Sequence, residues 1–84
     1  MQIVYDELKL ISNLAKHGLD FADLDLAFFD EATFDLAKNG RLMAIGEFRD
    51  RMVITVIVRP LGSEALSIIS MRPASQSERR VVDG

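Results

Sequence analysis

The sequence predicts an α+β fold, and three observations carry that prediction. Between residues 7 and 30 apolar side chains recur at helical spacing. From Thr33 the period shortens to two, with Asn39-Gly40 and Arg49-Asp50 as turn signals between the runs. Near the end, Ser75-x-x-Glu78 is a capping box that starts one more short helix. The expected architecture is a short N-terminal strand, two helices packed on one face of a four-stranded antiparallel meander, and a short C-terminal helix. Residues 1–84 are expected to form one domain. A chain this short buries only about 60% of the surface its unfolded form exposes, so its core is small.

Gln2-Ile3-Val4-Tyr5 alternates and reads as a strand. Asp6 caps a first helix from Glu7 to His17, in which Leu8, Ile11 and Leu14 form the apolar stripe with Ala15 beside them. Lys16 and His17 bring cations to the last turn, where the helix dipole favours them, and Gly18 supplies the left-handed stop. Asp20 starts a second helix that runs to Asp30, with Phe21, Leu24, Ala27 and Phe28 on one face. Thr33–Leu36 is a strand. Asn39 and Gly40 tolerate positive φ and turn it back onto Arg41–Phe48, in which Gly46 marks a bulge or a close backbone approach. Met52–Val58 is apolar on both faces and should be a central strand. Pro60–Ser63 turns the chain into a last strand, Leu66–Ser70, and the capped helix follows to about Val82. The two helices cover one sheet face, because neither layer buries its apolar side alone. The other face, with Arg41, Met43 and Ile45, is left for a partner or substrate.

Composition excludes several classes. There is no cysteine, hence no disulfide scaffold and no cysteine metal site. The longest apolar run, Met52–Val58, is too short to cross a bilayer, and Met1 leads directly into a short alternating stretch. A soluble cytoplasmic protein without a membrane role is expected. No nucleophile triad, glycine-rich phosphate loop or metal-spaced cluster is present, so neither metal nor cofactor is expected. Asp20, Asp23 and Asp25 lack the rest of a calcium loop and read as cap and solvated face.

The net charge is −3, but its distribution is uneven. Residues 1–40 hold three lysines against eight acids, while residues 41–84 hold seven arginines against five acids. Arginine suits forked contacts with phosphate. The alternative is solubility with ion pairing between the halves. Arg72 follows a strand and precedes a helix N-terminus, whose free N–H groups also favour an anion. It either stabilises a phosphate or pairs with an acid such as Asp6 or Glu78. His17 is the sole histidine. It is either an acid–base group near neutrality or a cap complementing the helix dipole. Lys16 contacts phosphate or is solvated. Arg41 and Arg51 line the open sheet face or protect its edges by charge. Arg79 and Arg80 contact phosphate, pair with an acidic partner segment, or form a solvated helix face. Lys9 and Asn13, four apart on one helix face, serve a substrate or tie the helix to the sheet.

The order Tyr5-Asp6, Lys9, Asn13, Lys16-His17-Gly18, Phe21 resembles the opening of the BrnT family of toxins, which has a RelE-like fold. Arg41-x-x-x-Ile45-Gly46, Arg51 with the apolar strand after it, and Ile68-Ile69-Ser70-Met71-Arg72-x-Ala74 with Glu78-Arg79 resemble the family's later segments, so the likeness covers almost the whole chain. It departs in four places: Tyr5 stands where tryptophan is usual, Ser67 where arginine is frequent, Pro73 where a second basic residue often follows, and the loop before Arg41 is short. The resemblance implies the toxin of a type II toxin–antitoxin pair, a metal-independent endoribonuclease that cleaves RNA to inhibit translation. The implied partner is a BrnA-like antitoxin, through which operator DNA is reached only indirectly. On this reading Arg72 and His17 are catalytic, and Lys16, Arg41, Arg51, Arg79 and Arg80 bind substrate. The departures at Ser67 and Pro73 leave an alternative: a catalytically degenerate module that keeps the fold and only pairs with an antitoxin or RNA. A plain oligomerising domain with no nucleic-acid role is a third expectation, which the small core motivates.

Overall fold

The apolar run beginning at Val53 is the middle of a five-stranded mixed sheet, rather than of a four-stranded antiparallel one. The structure is a computed structural model and describes residues 1–83, so Gly84, the end of the expected domain, lies outside the described residues. In chain order the elements are β1 (Gln2–Tyr5), α1 (Glu7–His17), a 3₁₀ turn (Phe21–Asp23), α2 (Leu26–Glu31), β2 (Thr33–Leu36), β3 (Leu42–Glu47), β4 (Val53–Leu61), β5 (Ala65–Pro73) and α3 (Gln76–Asp83). The spatial order is β1-β5-β4-β3-β2. The meander β2 to β5 is antiparallel, as expected. The correction is β1, which adds to its edge in parallel, from Gln2↔Ala65 to Tyr5↔Ile68. That pairing satisfies backbone groups that would otherwise line a bare edge of β5.

The last two strands are longer than their apolar runs. Pro60 and Leu61 belong to β4, opposite Leu66 and Ala65, and the turn contracts to Gly62–Glu64 with Gly62 left-handed at φ 61°. Proline lacks an N–H, which a strand tolerates only towards its end. Arg72 and Pro73 likewise belong to β5, opposite Thr55 and Ile54. A bulge between Ile57 and Val58 leaves Ile69 as the extra residue. Asn39 and Gly40 are both left-handed, at φ 62° and 73°, as the hairpin signal requires.

The expected second helix is two pieces. Asp20 accepts from the Ala22 N–H at 2.9 Å and caps the 3₁₀ turn, and Asp25 accepts from the Phe28 N–H at 2.9 Å and caps α2. The Asp25 carboxylate competes for backbone donors and restarts the helix. Phe21, Leu24, Phe28 and Phe29 still reach one core, packed on Ala44, Ile54, Val56, Val58, Leu66, Ile68 and Met71. Gly46 marks the close approach: a Cβ there would lie 3.3 Å from Phe28 Cε1 and 3.4 Å from Ala32 Cα.

Two placements differ from the sequence reading. The first is the face of α1. Leu8, Ile11 and Leu14 are 76%, 55% and 42% exposed, whereas Leu10 packs on the core and Asn13 is buried. The second is α3, which crosses the far sheet face. It contacts β3 and β4, where Ile45, Val53 and Thr55 are buried. The face expected to be open is therefore closed at one end. No helix among the described residues is long and apolar enough to cross a membrane.

Candidate functional site

Arg72 is built into a corner by its own strand and by α3. Glu78 accepts from Arg72 Nη1 at 2.7 Å and Nη2 at 2.9 Å, a forked pair. The same carboxylate accepts from the buried Thr55 hydroxyl at 2.9 Å and from the Ser75 N–H at 2.8 Å. The Ser75 hydroxyl accepts from the Glu78 N–H at 3.2 Å, which completes the capping box foreseen in the sequence. The hydrogen bond from Arg72, above all, lowers the Glu78 carboxyl from 4.5 to about 2, against its desolvation. Glu78 in turn raises Arg72 and holds it charged. Of the two acids weighed for Arg72, the structure selects Glu78. Asp6 instead caps α1, accepting from the Leu8 N–H at 2.7 Å.

A second cluster lies between α1 and β5. β1 ends opposite Ile68, so the outer edge of β5 beyond it meets α1 instead of a strand. Asn13 replaces the missing neighbour. Its Oδ1 accepts from the Met71 N–H at 3.0 Å, and its Nδ2 donates to the Leu19 carbonyl at 3.0 Å. The tie between helix and sheet weighed for Asn13 is thus what the structure contains. Beside it runs a groove of about 160 Å³ lined by Lys9, Ser12, Asn13, Lys16, His17, Ile69 and Ser70. Two ammonium groups, an imidazole and two hydroxyls line one hollow, a set suited to holding a phosphate and moving a proton.

The remaining cations are spread out. Arg41, half-buried before β3, has its Nε buried without a hydrogen-bond partner. Arg51 is exposed at the tip of the β3–β4 hairpin, left-handed at φ 62°, about 20 Å from Arg41 by strand rise. Arg79 and Arg80 border a hollow on α3 with Ala74, Gln76 and Asp83. Arg72 is not among the groove residues, so the two residues read as catalytic, Arg72 and His17, occupy separate places. Among the described residues only Arg49, with Asp23 at 2.7 Å, and Arg72 pair with a carboxylate. Pairing between the halves therefore accounts for one arginine of seven.

Sequence reasoning passed over Arg59, Ser12 and Ser70. Leu42↔Val58 sets Arg41 and Arg59 side by side, and Arg59 pairs with Ser67. The Arg49–Arg51 turn, closed by the Phe48 N–H donating to the Met52 carbonyl at 2.7 Å, fixes that hairpin register, and the Arg49-Asp50 turn signal was the one available for Arg59. Ser12 and Ser70 carry no signal of their own, since their place depends on how α1 lies on β5. No group of three or more histidines or acids able to hold a metal ion occurs among the described residues.

Comparison with known proteins identifies a family and a similar solved structure. A family model described as the ribonuclease toxin BrnT of a type II toxin–antitoxin system matches residues 5–78. The 1.1 Å crystal structure of the Brucella abortus ribonuclease toxin BrnT is 59% identical and superposes with a TM-score of 0.84, covering 90% of this chain and 99% of that one. No curated protein matches.

Proposed function

The chain belongs to the BrnT family of ribonuclease toxins of type II toxin–antitoxin systems, and from that premise we propose that it cleaves RNA, inhibits translation in the cytoplasm, and is neutralised by a cognate BrnA-like antitoxin. The 59% identity to a crystallised ribonuclease toxin over nearly the whole chain supports the reading most. The groove of Lys9, Ser12, Lys16 and His17 supports a location for the chemistry.

The scissile phosphate lies in that groove. His17 takes the proton of the ribose 2′-hydroxyl, and the 2′-oxygen attacks phosphorus. The bond from phosphorus to the 5′-oxygen breaks, and the Lys16 ammonium returns a proton to that oxygen. The products are a 2′,3′-cyclic phosphate and a 5′-hydroxyl, and no metal takes part. Lys9 and the hydroxyls of Ser12 and Ser70 hold the charged phosphorane, which is where preorganised donors lower the barrier. Arg72 is fixed in plane by Glu78 and retains N–H groups beyond that pair for an adjacent phosphate. Arg41, Arg51, Arg79 and Arg80 hold the flanking RNA backbone.

The test is induced expression without antitoxin, together with purified protein on end-labelled messenger RNA, with and without ribosomes. Growth arrest and cyclic-phosphate ends are expected, both lost in His17→Ala. Harmless expression with intact RNA in every condition would refute cleavage. If such a protein still bound antitoxin tightly, the degenerate module would stand instead, a reading favoured by the Glu78 carboxylate on Arg72 and by Ser67 on β5.

A further inference from the structure

We propose that the exposed ridge of α1, Leu8, Ile11 and Ala15, is the docking face for an amphipathic helix of the antitoxin, one that carries acidic residues along the flank meeting Lys9 and Lys16. The proposal rests on the toxin reading for the identity of the partner. The face itself is argued from α1.

Leu8 and Ile11 are exposed on a helix whose inner side is held by Leu10 and Asn13. Residues 8, 11 and 15 are three and four apart, so they form one straight ridge over two turns, the shape that packs into the groove of another helix. Leu14, 42% exposed, widens it on one side. Single apolar residues scattered over a surface need no explanation, whereas Leu8, Ile11 and Leu14 adjoin one another on one helix face, as side chains at an interaction site do.

Charge selects the occupant. One flank of the ridge leads through Ser12 to Lys9 and Lys16, which face the groove and pair with no carboxylate among the described residues. A second copy docking across an antiparallel two-fold would set these lysines against their own counterparts, which is unfavourable. A helix with acids on that flank gains both the ridge and two ion pairs. Its carboxylates would then lie at the mouth of the groove where the scissile phosphate is placed. Docking and RNA binding would exclude one another, so neutralisation needs no distant conformational change.

The test uses the full chain with its cognate antitoxin and the double variant Leu8→Glu/Ile11→Glu. Both positions face solvent and glutamate is a good helix former, so the fold is kept. The expected result is a loss of antitoxin affinity of roughly 100-fold, the scale of two interface anchors. The free variant still cleaves RNA with kcat within about twofold of wild type, since neither side chain lines the groove, while the two added carboxylates beside Lys9 raise KM. Hydrogen exchange on the wild-type complex, which needs no variant, should protect residues 7–17. Unchanged affinity, or no protection of α1 in the complex, overturns the proposal. So does self-association of the wild type that the variant abolishes while antitoxin affinity stays the same. A wild type that binds antitoxin but leaves RNA intact refutes the ribonuclease reading alone, and the affinity comparison still decides the docking face.

Discussion

Replacing Glu78 by alanine should remove about 3 kcal/mol of stability. Arg72 is the main cause holding the carboxyl near 2 instead of 4.5. At 1.36 kcal/mol for each pKa unit such a shift is worth up to about 3.4 kcal/mol. The Glu78 side chain is 14% exposed and that of Arg72 33%, so screening brings the estimate nearer ~2 kcal/mol. The Thr55 hydroxyl, fully buried, then loses its acceptor, which adds roughly 1 kcal/mol. In a domain of this size each kcal/mol moves the thermal midpoint by about 4–8 °C, so a fall of at least ~12 °C is expected by circular dichroism. Thr55→Val in the Glu78→Ala background should recover about 1 kcal/mol, because no orphaned hydroxyl remains. The sign with pH follows from the direction of the shift. A carboxyl depressed in the folded state contributes fully above its ordinary 4.5 and loses that contribution as pH falls towards about 2. The gap between wild type and Glu78→Ala in urea midpoints should therefore be flat from pH 6 to 8 and close below pH 4.5. A midpoint within 3 °C or so of wild type, or a gap unchanged at pH 3, would refute the reasoning.

Asn13→Ala should cost about 2 kcal/mol by leaving the buried Met71 N–H without an acceptor, read as a lowered urea midpoint; Asn13→Asp keeps that acceptor but sets a buried carboxylate against the Leu19 carbonyl, so it should not recover the loss. Gly46→Val should cost about 1–3 kcal/mol, since even its Cβ would press on Phe28 and Ala32, and Gly46→Ala should lie between the two in a thermal melt. His17→Ala should lower RNA cleavage by ~10²–10⁴-fold in a labelled-substrate assay, with the thermal midpoint moved by a few degrees at most, because its ring lines a groove. Leu8→Glu and Ile11→Glu should each change stability by no more than about 0.5 kcal/mol, since neither side chain is in the core.

Local signals in the sequence were enough wherever the structure depends on near neighbours. Asp6, Gly18, Asn39-Gly40 and Ser75-x-x-Glu78 each act within a few residues, and each performs the expected role. The strand β1 was legible but its pairing was not, because four residues of alternation cannot name a partner more than sixty positions away. The split at Asp25 escaped because Asp20 and Asp25 carry equal capping signals and only packing decides between one helix and two. The capping box fixed where Glu78 would point along its own backbone, but not that its second oxygen would meet Arg72 across the corner between β5 and α3.

The misplaced face of α1 has a physical cause. By hydrophobicity alone the helix should turn Leu8, Ile11 and Leu14 inward, at roughly 1.5–3 kcal/mol for each large side chain buried. It does not, because β5 runs past the end of β1 and presents the Met71 N–H to whatever lies alongside. An unmet buried donor costs about as much as one aliphatic burial gains. Asn13 meets it, ties down Leu19 with its other end, and brings Leu10 onto the core from the same side. Rotating the helix by half a turn would lose all three. The same choice of face decides the chemistry. It carries Lys9, Lys16 and His17 to the edge of β5 and forms the groove, while it sends the apolar ridge to the surface. One buried asparagine thus sets both the location of the cationic site and the exposed face next to it, and the two are fixed relative to each other by the rigidity of a single helix.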